Sequence, residues 1–94
     1  MENKKNDRKE LLGKIRDFQI EESEERIRLK KEYKEGKISY NDFCVLKKKA
    51  TELFLDKLHK EGDKYEFEIY DSITVGEISD EVEKKRPGLL NKAI

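Results

Sequence analysis

The sequence predicts an α+β fold that is mainly α: a long antiparallel helical hairpin, then a short strand or two-stranded ribbon, then a short C-terminal helix. Three observations carry this. Phe43, Leu46, Ala50, Leu53, Phe54 and Leu58 recur with the period of a helix that buries one face. Just before that run, Gly36 and Ser39 supply a helix stop and a helix start. Beyond it, Tyr65-Glu66-Phe67-Glu68-Ile69 alternates apolar and acidic residues, the period of a half-buried strand.

Residues 1–6 are polar and are expected to form a flexible tail, with the hairpin occupying 7–62. In its first helix Leu11, Ile15, Phe18, Leu29 and Tyr33 fall on one line, and Glu22 with Glu25 or Arg26 fills the gap on it. Those mid-seam charges are expected to reach solvent or a lysine such as Lys47 or Lys57, or else to sit on the exposed side of a bend. Gly13 weakens the early turns of this helix by about 1 kcal/mol relative to alanine. Glu22–Arg26 and Glu24–Arg28 are i,i+4 pairs in the favourable orientation.

Glycine enters the left-handed region without steric cost, so the helix ends at Gly36. Ser39 caps the next helix, Asp42 suits its positive end, and Ile38 with Phe43 forms a hydrophobic staple. A turn this short makes the helices antiparallel neighbours and brings Tyr33 near Phe43. A second, narrower stripe of Cys44, Thr51 and Leu55 suggests that this helix touches neighbours on two sides and is the central one. Gly62 is expected to end it.

Residues 63–94 are expected to add the strand and a capped helix packed on the hairpin, completing a single domain. The strand's partner is either Ile73 to Val75 in a tight ribbon or a strand of another chain, because lone strand amides need an acceptor. Thr74 with Glu77 repeats the capping device, Ile73 and Ile78 its staple, and Ile78 and Val82 form the buried side of the short helix. Pro87 ends it, and Leu89, Leu90, Ala93 and Ile94 provide a last turn that docks on the core.

The pattern around the hairpin turn consists of Leu29, Tyr33, Lys34 and Gly36, then Ile38, Ser39, Asp42 and Phe43, then Lys47 to Lys49. Over residues 29–55 it resembles the SHOCT domain, a short helical hairpin. Leu53 and Leu55 stand in for that family's paired leucines and only approximate them. The resemblance implies a small interaction or oligomerisation module with no chemistry of its own.

Composition narrows the function classes. The chain has 94 residues, 34% hydrophobic and 47% charged, so a long hairpin by itself leaves apolar surface to cover and self-association is expected. Lysine plus arginine equals aspartate plus glutamate at 22 each, which gives no global field toward nucleic acid or an acidic membrane. One cysteine excludes an internal disulfide, and the longest apolar run, Phe43 to Leu46, is far too short to span a bilayer. The N-terminal residues lack the apolar core of a signal peptide, and a cytoplasmic setting is expected.

No constellation of reactive groups is evident, so neither an enzyme nor a cofactor or metal is expected. His59 has no metal-ligand spacing or glycine-rich loop around it, and its place near a helix end suits free carbonyls. Cys44 lacks an activating neighbour and reads as a structural thiol. Lys47, Lys48 and Lys49 diverge around a helix and read as a solvated face. Glu21, Glu22, Glu24 and Glu25 diverge likewise.

The leading expectation is a non-catalytic protein–protein interaction or oligomerisation module, a small regulator acting on a larger protein. Its candidate interface is Tyr65, Phe67, Ile69 and Tyr70 as a strand edge, with Glu21, Glu22 and Glu25 as an acidic surface. The alternative is a DNA- or RNA-binding regulator with a degenerate helix-turn-helix. There residues 74–82 form the first helix, 83–87 the turn and 88–94 the recognition helix, and Lys84, Lys85, Arg86 and Lys92 contact phosphates.

Overall fold

The computed structural model describes residues 4–94. Five helices follow one another: α1 (Lys4–Lys34), α2 (Tyr40–Gly62), α3 (Phe67–Ser72), α4 (Val75–Lys85) and α5 (Leu89–Ala93). The hairpin forms as expected. Gly36 takes φ +76°, and the Ser39 hydroxyl accepts the Asp42 amide at 3.0 Å. Tyr33 stacks on Phe43 with ring centroids 5.3 Å apart, which fixes the pairing at the turn end. Helix α1 begins at Lys4, inside the span assigned to a tail; residues 1–3 of that span lie outside the described residues.

The strand is overturned. Among the described residues there is no β-structure, and Phe67–Ser72 is helix α3. An alternation over five residues does not separate strand from helix, and Ile69, Tyr70 and Ile73 also satisfy a helical i, i+1, i+4 spacing. Backbone pairing decides the matter: a lone strand leaves its amides unbonded, whereas a helical turn satisfies them locally, as Ile69 and Tyr70 donating to the Glu66 carbonyl show. The same finding removes the Ile73 to Val75 ribbon and the proposed strand edge.

The centre of the molecule is α1, not α2. Helix α2 packs along α1 and meets α3 at Gly62; α3 also uses the Leu11–Ile15 side of α1, while α4 and α5 pack on its Ile20 side. Two faces of α1 are therefore used. Leu11 and Ile15 enclose Ile69 of α3, with Leu58, Tyr65, Tyr70, Ile73 and Ile78 packed around them. Ile20 enclosed with Val82 and Leu89 forms a second cluster, joined by Ile27, Ile78 and Leu90. The two clusters share Ile78. The outcome is a flattened body whose Cα atoms span 55 × 25 × 14 Å.

The C-terminal helices are held by a few specific bonds. Thr74 and Glu77 form the expected capping box of α4. Arg8 of α1 reaches across to Glu77 at 2.6 Å and also donates to the Ser72 hydroxyl and carbonyl, tying the α3–α4 corner to α1. Gly88, at φ +81°, turns the chain into α5.

Candidate functional site

Helix α2 carries apolar side chains on a wider arc than α1 can cover. Its one buried residue is Gly62, and Leu53 remains 55% and Leu46 37% exposed. Beside α1 these residues line an open groove of about 340 Å³ whose floor includes Phe18, Ala50, Leu53 and Phe54. One wall is acidic, with Glu21, Glu22 and Glu25 of α1, and the other is basic, with Lys49 and Lys57 of α2.

Beneath the groove lies a polar seam. The Glu22 side chain is only 8% exposed. It accepts from Arg26 Nε at 3.2 Å, from the Thr51 hydroxyl at 2.7 Å and from Gln19 at 2.7 Å. Arg26 Nη2 in turn donates to Thr51 at 2.6 Å. Of the mid-seam charges, Glu22 is satisfied by its own i+4 arginine and by a threonine of α2 rather than by solvent or a lysine, while Glu25 reaches solvent, 41% exposed beside Arg28. Lys57, expected to meet one of these charges, pairs instead with Glu21 on the rim, at 2.9 Å.

The other expected contact residues are divided by the fold. Ile69 is in the core, and Tyr70 lies against Gly62. Tyr65 gives its hydroxyl to Glu10 beneath Lys14, and burial pushes its phenol above the ordinary value. Phe67 alone of the four points outward, 73% exposed. Glu21 and Glu25 stand on the groove rim, with Glu25 bonded to Arg28, while Glu22 belongs to the seam.

For the helix-turn-helix, α4 runs to Lys85, through most of the expected turn, and α5 has five residues with Leu89 buried. Lys84 pairs with Glu81, Lys85 with Asp17 at 3.0 Å, and Arg86 with Glu24. Three of the four proposed phosphate contacts are thus engaged by carboxylates of this chain, and Lys92 is exposed near the end of α5. His59 is exposed and Cys44 half-buried, and no cluster of three metal-ligating side chains occurs among the described residues. No described helix is long and apolar enough to cross a membrane.

Sequence reasoning missed the second face of α1. Ile20, Ser23 and Ile27 are spaced i, i+3 and i+7 and lie opposite the Leu11–Leu29 line. That spacing was the available signal, masked by the glutamates and arginines between. It missed Arg8 as well, whose partners are 64 and 69 residues away.

No family model, curated protein or solved structure matches this chain.

Proposed function

We propose that this chain is a non-catalytic protein–protein interaction module that binds through the uncovered face of the α1–α2 hairpin. One observation carries the reading: Leu46 and Leu53, seven residues apart on one side of α2, stay exposed although they continue the stripe that meets α1. Water against such a continuous apolar strip is unfavourable by about 25 cal/mol per Å², and a partner helix removes that cost. The flanking charges suit a rim around an apolar centre. The resemblance of residues 29–55 to a SHOCT hairpin implies the same role.

A photo-crosslinking amino acid at position 53, compared with one at the exposed position 80 on α4, tests this in the native host. A discrete adduct from position 53 and none from position 80 is expected. Equal labelling from both positions, or no adduct from either, would remove the proposed face.

A further inference from the structure

Resting on that reading, we infer that the occupant of the groove is a second copy of this chain, laid face to face so that each α1 crosses onto the partner's α2. Charge and axial level both point to this pairing. The acidic wall, Glu21 and Glu25, belongs to α1, and the basic wall, Lys49 and Lys57, belongs to α2. Within one chain Glu21 pairs with Lys57 and Glu25 with Arg28, so Lys49 is the wall cation that a partner's carboxylate would meet. A two-fold axis parallel to the helices sets the acidic wall of each copy on the basic wall of the other. A two-fold axis across the helices instead sets acid on acid, which like-charge repulsion disfavours.

The levels agree. Lys14 meets Glu61 at 2.8 Å near one end of the hairpin, and Tyr33 meets Phe43 at the other. Pairs whose numbers sum to 75 or 76 are therefore level, and Glu25 stands beside Thr51. Lys49 is two residues from Thr51, about 3 Å along the axis at about 1.5 Å per residue. Rotation about an axis parallel to the helices preserves level, so Glu25 of each copy comes opposite Lys49 of the other. Lys49 makes no ion pair within the described chain and is exposed.

The remaining geometry supports the same packing. The resulting four helices are each flanked by antiparallel neighbours, the up-down arrangement that sets adjacent helix dipoles in opposition. Leu46, Ala50, Leu53, Phe54 and Phe18 become the shared core. The opposite side of the hairpin is partly occupied by Ala93 and Ile94, which line a separate groove with Tyr33 and Phe43, so this side is the open one.

Light scattering on the purified full chain, over micromolar to submillimolar concentration, is expected to give twice the 11.2 kDa chain mass. Leu53→Glu is expected to give the single-chain mass with unchanged helical circular dichroism. Glu25→Lys and Lys49→Glu, both on exposed or rim positions, each set like charges together in a homodimer. Each alone is expected to dissociate at least tenfold more readily, and an equimolar mixture of the two to recover the dimer. A wild-type chain that stays at 11.2 kDa overturns the second copy as occupant, while the crosslinking result still decides whether the face binds another protein. A dimer whose two charge variants mix no better than either alone would show that α1 does not lie on the partner's α2.

Discussion

The Tyr70 ring lies so close over Gly62 that a β-carbon built on the glycine would stand 2.5 Å from Tyr70 Cδ1. Helix α2 ends at Gly62, as expected, but the glycine takes no positive φ there; what its position requires is the lack of a side chain, which lets α3 close against the hairpin. The contrast with Gly13 is sharp, since a β-carbon there would meet only Arg16 Nη2 at an ordinary 3.7 Å.

Gly62→Ala is therefore expected to destabilise the fold by about 1–3 kcal/mol through overpacking, although alanine is the better helix former. Gly13→Ala is expected to stabilise it by about 0.5–1 kcal/mol. Urea unfolding of the two variants checks both signs. Equal shifts in one direction would mean that helix propensity, not the Tyr70 contact, governs position 62.

The Glu22–Thr51–Arg26 seam makes a second prediction. Thr51→Val keeps the shape but removes a hydroxyl that gives to Glu22 and accepts from Arg26. Hydrogen bonds to charged groups contribute about 1.5–3 kcal/mol, so a loss of about 1–2 kcal/mol is expected, with the Glu22–Arg26 pair left to soften it. Thr51→Ser should restore most of the stability. A valine variant as stable as the parent would show that the seam is held by packing alone.

Acid sensitivity follows from two inter-helix carboxylates. The Arg8 hydrogen bond, joined by the Thr74 backbone, holds Glu77 below the usual glutamate range, and the Lys14 hydrogen bond does the same for Glu61. A depressed folded-state pKa contributes stability above the unfolded value, about 4.3, and that contribution disappears as pH falls through the folded value. Thermal midpoints are expected to hold steady near neutrality and to drop below about pH 5. Glu77→Gln should flatten that acid limb, and a midpoint that rises on acidification would contradict the assignment of these pairs.

The hairpin was legible because its signals are local. A glycine that takes positive φ and a serine whose hydroxyl accepts one of the four free amides at a helix start act within one turn, whatever the rest of the chain does. The Thr74–Glu77 box was readable for the same reason. The groove was half legible: the apolar stripe of α2 could be counted, but which part of it α1 leaves open could not.

What tertiary structure alone decided is the fate of ambiguous segments and the choice of centre. The strand pattern of Tyr65 to Ile69 gave way to a helix over Phe67–Ser72, whose backbone bonds close locally and whose Ile69 is seated between Leu11 and Ile15. Helix α1 became the centre because Ile20 and Ile27 give it a second apolar face for α4 and α5, a pairing that depends on residues about 60 positions distant. Local backbone chemistry thus set where the helices start and stop. Long-range burial, which no window of sequence contains, set which faces meet and which face is left uncovered.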